Sequence, residues 1–544
     1  MRIITSSLIR PIGALALGGG VALASFGLLP QLQPPPSPLE SIRAAEIEDK
    51  VSYLASDAFL GRGNGTPELD RAAEYIAGVF GDNGLLPGGN NGFFQEFQVE
   101  RLSIGRDNRL ELPQTGIAFD VGRDFIPLPG TVDGRVEGPL VFAGYGIRAP
   151  GENYDDLAGV DFGGRIAVVL EGYPRPGDPA SPFNRLTSEN PSDIAAKAEN
   201  AEAAGAGALI VVQGPLGGGA TSIGYYAGAM RPGLSPRRSV MDLAPGVGEA
   251  RIPVVVVSRT AALRLVPDLE SLQRSIDVSL QTITAEVAPM ALLQVDLDRD
   301  AYTARNVVGI VGGSDPDLRH EAIVVGAHYD HDGAEGGRIW NGADDNASGT
   351  SGLLELAEAL ALDTPPSRSV ILAAWAAEEK GMLGSRHYVR EPPVPVSDTV
   401  AMFQIDMIGR NEEHGADPGE GFLLERASEN ANALNLIGSV FSDDIRQVVT
   451  GANREVGLDL RFRYDYGAQD LMRRSDHWTF LSRGVPSLFF FGGLHPDYHT
   501  PNDTADKINY NKIEKVARLV YRAVREIGNA PDRPVFSNPG DERF

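Results

Sequence analysis

At 544 residues and 42% hydrophobic content, the chain is too long for one ordinary core and too apolar for disorder, so two packed domains are expected. A formal net charge of −25 excludes the cationic surface that holds a phosphate backbone; no nucleic-acid partner is expected, and the acidity serves solubility. The absence of cysteine excludes disulfides, thiolate ligands and a cysteine nucleophile, so any metal must be held by His and carboxylates.

Arg2 and Arg10 precede or open an uncharged run, "PIGALALGGGVALASFGLL", which contains Ala22-Leu23-Ala24, a small-x-small cleavage pattern. This predicts a signal peptide over 1–24 and a secreted, periplasmic or cell-envelope location. Left uncleaved, the same run is a membrane anchor, and only then is a membrane a partner. The "QPPPSP" stretch predicts an extended Pro-rich linker over 25–40. Next come two helical patterns, "IRAAEIEDKVSYLASD" and "LDRAAEYIAGVFGDNGL", on either side of the loop "FLGRGNGTPE"; they open the larger domain, whose first part is expected over 41–135.

Between 136 and 288 the texture changes to short valine-rich strands, "GPLVFAGYG", "RIAVVLEG", "GALIVVQG" and "RIPVVVVS", with glycine turns and one alanine-rich helix, "DIAAKAENAEAAGA". An inserted β-rich domain is expected there. It has no cluster of His with carboxylates, so it reads as a lid or spacer. Over 289–530 the runs "NVVGIVGG", "AIVVGAH", "SVILAAWAA", "VAMFQIDMIG" and "PSLFFFGG" are nearly continuous in apolar residues, as in strands buried on both faces of a mostly parallel sheet. Helices are expected at about 348–362, 430–442, 444–456, 475–483 and 511–528, and residues 531–544 form a tail. The predicted class is α/β: a mostly parallel central sheet flanked by helices, with a β-rich insert.

In open sheets of this kind, ligands bind beyond the carboxyl ends of the strands. Those ends carry the polar residues here: His328 and Asp330, then Glu378 and Glu379, then Asp406, then His495, Tyr498 and His499. The run "NGADDNASG" adds Asp344 and Asp345 at the start of a helix. Crowded carboxylates repel unless a cation lies between them, and with imidazoles nearby a metal ion meets that need. Two zinc ions about 3.5 to 4 Å apart need a shared carboxylate. His328, Asp345, Glu379, Asp406 and His499 supply one His and one carboxylate for each metal, plus the shared group. Glu378 is then left to take a proton from a metal-bridging water and hand it to the leaving amine. Tyr498 is placed to donate to the developing oxyanion, and Asp330 to accept the other ring N–H of His328.

The runs "AHYDH", "GADDNASG", "WAAEEKGMLGS", "FQIDMIGR", "SDHWTF" and "DYHTPNDT" stand in the order seen in the di-zinc aminopeptidase family that also includes glutamate carboxypeptidase and the transferrin receptor. Residues 42–97 and 289–528 resemble that family, and 136–288 is similar to its protease-associated insert. The resemblance implies a zinc exopeptidase fold of the phosphorylase/hydrolase-like type. It implies one zinc on His328 and Asp406, another on Glu379 and His499, Asp345 bridging, Glu378 as base, and a non-proline cis peptide after Asp345. Asp476, within "SDHWTF", is expected behind the ligands. Asp344 departs from the pattern, since related chains often carry Asn there. The implied activity is that of an exported metallo-exopeptidase, an aminopeptidase acting on peptides. A carboxypeptidase or glutaminyl cyclase of the same fold, or a receptor-like scaffold without catalysis, is the alternative. A carboxypeptidase should offer Arg to a terminal carboxylate and an aminopeptidase acidic groups to a terminal ammonium; Arg474 serves either scheme or is a plain surface charge.

Overall fold

The run from Ala322 to Ala327 has no polar side chain, so the strand it forms must be covered on both faces. The computed structural model describes residues 37–128, 131–176, 178, 181–183, 194–216, 240–243, 251–413, 426–465 and 471–537. The expected signal peptide and most of the linker lie outside the described residues. The strands that matter for the site are β1 (Phe94–Ile104), β2 (Leu297–Val311), β3 (Ala322–His328), β4 (Ser369–Trp375), β5 (Thr399–Ile405), β6 (Ala433–Ile437), β7 (Asp459–Arg461) and β8 (Ser487–Phe491). They lie side by side in the order β1-β2-β4-β3-β5-β8-β6-β7; Val240–Leu243 outside β1 and Leu86–Pro87 on β2 complete a ten-stranded sheet.

β3 runs parallel to both β4 and β5, and β5 parallel to β8. β2 and β6 are antiparallel to their neighbours β4 and β8, which makes the sheet mixed but parallel at its centre. Consequently β3, β4, β5 and β8 all present their carboxyl ends to one edge. Ile323, Val325 and Ala327 face one core and Ala322 and Val324 the other, the two-residue alternation of a strand covered on both sides.

Helices α1 (Ala44–Leu54), α2 (Pro67–Asp82), α3 (Gly349–Leu362) and α4 (Tyr510–Asn529) contribute to the first of these cores. Their apolar stripes follow from sequence: Ile47, Val51 and Leu54 in α1, and Leu69, Ala72, Ala73, Ile76 and Phe80 in α2, recur at helical spacing and are buried. The Thr66 side chain accepts the N–H of Leu69 and starts α2; Asn509 does the same for α4 through Lys512. Each fully buried leucine of α3 contributes roughly 1.5–3 kcal/mol, which ties this helix to the strands that precede it.

Two expectations are corrected. The helix expected at 430–442 is strand β6 followed by a short 3-10 turn at Ser439–Phe441. Its run "ALNLI" is buried at all five positions, inserted between β8 and β7, and Gly438 at φ +99° ends it; five buried residues suit a strand where a helix needs ten or more. The end of the linker is not extended, because Pro38–Ser41 forms a helical turn in which Ser37 and Glu40 cap one another.

A separate eight-stranded sheet runs in the order Ile117–Phe119, Arg109–Leu112, Thr284–Val295, Gly134–Ala143, Ile166–Leu170, Ala208–Val212, Val254–Val257 and Phe125–Pro127. The helix Ile194–Ala203 contributes Ala198 and Ala201 to one of the apolar clusters on its faces. Three of these strands lie before residue 136, where the sequence texture changes. All eight histidines of the chain come after residue 300, so no imidazole is present in this sheet. Among the described residues no helix is long and apolar enough to cross a membrane.

The loop between α1 and α2 carries Arg62, whose guanidinium is buried and donates to the carbonyl oxygens of Leu54, Tyr329, Asn341 and Gly342 at 2.7–2.8 Å. It thereby joins three separate stretches of the chain. Arg62→Met would leave four buried carbonyls without their donor, and we expect a loss of about 3–5 kcal/mol in unfolding free energy. A shift below about 1 kcal/mol in chemical denaturation would show that the guanidinium is dispensable.

Candidate metal centre

His328 is the last residue of β3 and pairs in register with Trp375, the last residue of β4. Because β3, β4 and β5 are parallel, Glu378 and Glu379 leave β4, and Asp406 leaves β5, at the edge His328 has reached. Asp345 arrives from the turn that precedes α3, and His499 from the loop after β8. His328 Nε2 lies 3.1 Å from Asp406 Oδ1 and 3.3 Å from Asp345 Oδ1. His499 Nε2 lies 2.9 Å from Asp345 Oδ2 and 3.5 Å from Glu379 Oε1. Asp345 thus turns one oxygen to each imidazole. Two donors in a tetrahedral zinc shell with bonds near 2.0–2.1 Å sit about 3.3 Å apart, so nitrogen and oxygen donors at these separations fit that ion. Glu378 Oε2 stands 4.0 Å from His328 Nε2, beside this set.

The turn holding Asp345 is pinned on several sides. Asp503 accepts the backbone N–H of both Asp344 and Asp345 at 3.0–3.1 Å. Asn346 Oδ1 accepts the N–H groups of Gly349 and Met407, while its amide donates to the carbonyl of Ile405 at the end of β5. Thr350 Oγ1 donates to the carbonyl of His328. The Asp345–Asn346 peptide is cis, as the resemblance implied. Asp344 faces away, accepting the N–H of Gly409 at 2.6 Å and meeting His495 Nε2 at 3.2 Å. Its carboxylate has an imidazole of its own, which accounts for an acid where related chains often carry Asn.

Asp330 does a different job from the one expected. Its carboxylate is 3.8 Å from His328 Nδ1, too far to accept that N–H, and its own carbonyl oxygen is nearer at 3.3 Å. The carboxylate instead accepts the N–H groups of Glu378 and Glu379 at 3.0 and 3.3 Å, with Asn64 donating to it at 2.7 Å. Those bonds hold the Glu378-Glu379 turn, which follows Ala377 at φ +56°. Asp476 accepts from Gln404 at 3.0 Å, and the residue that touches a ligand is its neighbour Ser475, donating to Asp406 Oδ2 at 2.7 Å. Tyr498 stacks on His499 with ring centroids 3.5 Å apart, and both line one cavity with His328, Glu378, Asp406 and Arg474.

Four further residues bear on the site and were not anticipated as parts of it: His331, Arg62, Ser475 and Asp503. His331 Nδ1 lies 2.8 Å from Glu379 Oε1, and His331, Asp345 and Glu379 form one donor cluster as His328, Asp345 and Asp406 form another. The only prior signal for His331 was its place in "AHYDH", three residues after His328.

Burial dominates the electrostatics. It pushes the Glu378 carboxyl well above the usual range; His328 opposes the shift, while Asp476, Glu379 and Asp406 add to it. Burial likewise raises Asp406 and Asp330, takes Asp503 up to about 6 with Asp344 adding to the effect, and takes Asp476 up to about 7. Asp345 is the exception: burial and Glu379 raise it, but hydrogen bonds with His328 and His499 outweigh them and hold it below the ordinary carboxylate range. A carboxyl raised on folding stabilises the folded chain below its unfolded value, near 3.8 for Asp476, and that contribution is lost as pH climbs through about 7. The metal-free protein should therefore lose stability between about pH 4 and 7 from this group. Asp476→Asn, which cannot ionise, should raise the stability of chelator-treated protein at pH 8 by about 1–3 kcal/mol and change it little at pH 4. Melting curves of both proteins at the two pH values check this, and equal curves at pH 8 would refute it.

Residues 306–524 match peptidase family M28, and residues 136–265 match the PA domain. The chain is 27% identical over 349 residues to aminopeptidase YwaD of Bacillus subtilis, covering 62% of this chain and 61% of that protein. It is 29% identical over 228 residues to the probable glutamate carboxypeptidase VP8 of Zea mays, covering 40% of this chain and 28% of that one. The alignments thus span less than two thirds of either relative. In three dimensions it is similar to an aminopeptidase from Aneurinibacillus sp. strain AM-1, with a TM-score of 0.56 and 20% identity over 92% of this chain and 97% of that one. With the His and carboxylate donors gathered at the carboxyl edge of a largely parallel sheet, residues 306–524 form a peptidase family M28 domain, preceded by a PA domain at 136–265.

Proposed function

We propose that the chain is an exported aminopeptidase that works with two zinc ions. The observation that carries this reading is the placement of Asp345 between His328 and His499, with Glu378 beside the donor set and outside it. His328 and Asp406 would hold one ion, Glu379 and His499 the other, and Asp345 both. When bound, the ions supply Lewis acidity that polarises the scissile carbonyl and makes water a stronger acid. Glu378 takes the proton of the attacking water on its carboxylate and returns it to the nitrogen of the leaving amine. Tyr498 donates its hydroxyl to the carbonyl oxygen as that oxygen gains charge. Asp330 keeps Glu378 and Glu379 in place by accepting their backbone N–H groups.

An amino terminus is the better-matched end of a peptide. The similarity to aminopeptidase YwaD supports the amino terminus as the end attacked, and with Asp345, Glu379 and Asp406 on the ions, Glu378 is the one cavity carboxylate outside the donor set. Met407, Leu471, Phe489, Phe491 and Leu494 give the same cavity an apolar wall suited to an apolar first side chain. Export rests on the amino-terminal run and its Ala22-Leu23-Ala24 pattern.

Peptides with a free amino terminus and an apolar first residue should be cleaved at least about a hundredfold faster than their amino-acetylated forms, and Glu378→Gln should lose about the same factor while keeping its zinc. Faster turnover of amino-blocked peptides with a free carboxyl end would favour a carboxypeptidase instead. Equal rates for wild type and Glu378→Gln would remove Glu378 from the mechanism. For export, the protein recovered from the medium or envelope should begin shortly after Ala24; an intact Met1 in the membrane fraction would identify the run as an anchor.

A further inference from the structure

We propose that His331 is the positioning residue for Glu379: it donates its Nδ1–H to that carboxylate and so fixes the oxygen Glu379 turns toward the second zinc, a role that rests on the two-zinc reading above. His331 Nδ1 lies 2.8 Å from Glu379 Oε1 and 3.8 Å from Asp345 Oδ2, and the side chain is wholly buried. Among the described residues this is the one hydrogen bond its ring makes, since Nε2 has no partner. An imidazole nitrogen buried without a partner is costly, so the bond to Glu379 is what the ring offers in return.

Its seat is also fixed. The backbone N–H of His331 donates to the carbonyl of Arg62 at 3.1 Å, tying it to the buried guanidinium loop. A Cβ on Gly342, which sits at φ +55°, would lie 2.5 Å from the His331 ring carbons Cγ and Cδ2. Glycine there lets the ring lie flat against the backbone that leads into Asp345. One ring therefore touches the loop before the bridging carboxylate on one side and Glu379 on the other.

A donor role fits better than direct ligation. At 2.8 Å, Nδ1 stands at hydrogen-bond distance from the carboxylate oxygen. As a ligand, His331 would also join Asp345, Glu379 and His499 to surround the ion with four protein donors, the closed arrangement of a structural site; acting from outside, it leaves the position open.

The test is a zinc titration of the full chain in competition with a chelator, comparing His331→Asn with His331→Phe. The Asn amide places an N–H close to where Nδ1 stands, whereas Phe fills the ring volume without a donor. We expect His331→Phe to weaken the second zinc by about 10- to 100-fold and leave the first unchanged, with His331→Asn within about threefold of wild type. Melting of the zinc-free proteins verifies folding; if His331→Phe does not fold, His331→Gln, whose amide reaches only toward the Nε2 position, replaces it with the same expectation. Wild-type affinity in the donorless variant would overturn the proposal. Equal weakening in His331→Asn would overturn it too, by marking the imidazole as a ligand or a packing element. A wild-type chain that takes up fewer than two zinc ions would bring down the two-zinc reading, and this proposal with it.

Discussion

Carboxylates collected in a dry place repel one another and resist ionisation, and this constraint organises the carboxyl edge of the central sheet. Asp330, Asp344, Asp345, Asp406, Asp476 and Asp503 are all buried there, and Glu378 and Glu379 stand among them. Each buried acid has been given partners, and those partners come from elsewhere in the chain. Asp330 is held by Asn64 and two backbone N–H groups, Asp344 by Gly409 and His495, Asp406 by His328 and Ser475, and Asp503 by the turn it supports. Arg62 is the fully buried cation behind them. Burial lowers its pKa to about 10 and the nearby Asp345 and Asp503 raise it, so it remains charged at neutral pH. Asp345 and Glu379 are paired with imidazoles, and divalent cations between Asp345 and its neighbours would balance the negative charge that remains.

Asp344 and Asp345 show how completely position decides chemistry. They are the same residue one step apart, yet one oxygen pair faces Gly409 and His495 while the other faces His328 and His499. Asp503 grips the backbone of both, which keeps the two carboxylates pointing apart. The loop after β8 answers on the same pattern, sending His495 to the first acid and His499 to the second. The loop and the turn are thereby matched at two points, so neither can shift by a residue without breaking both pairs.

What sequence alone determined is strands β2, β3, β4, β5 and β8, the edge that the last four share and the identities of most polar residues on it. An unbroken apolar run such as that before His328, too short for a helix and ending in polar residues, reads as a doubly covered strand, and parallel strands must bring their carboxyl ends together; His328, Glu378, Glu379, Asp406 and His499 follow from that rule without coordinates. The short run "ALNLI" misled because five apolar residues satisfy both periods, and its neighbours β7 and β8, which decide the matter, lie more than twenty and fifty residues away. Only tertiary structure could decide the partners. Arg62 sits in a glycine-bearing loop more than 260 residues before the carbonyl of Tyr329 it holds, Asn64 is as remote from Asp330, and Asp503 lies 159 residues from Asp344. Asp330 stands two residues from His328 and seemed bound to serve its ring, but side-chain direction sent its carboxylate to the next strand's turn. Hydrogen bonds act over about 3 Å of space and take no account of separation along the chain, so pattern reveals which groups reach an edge and folding alone reveals which of them touch.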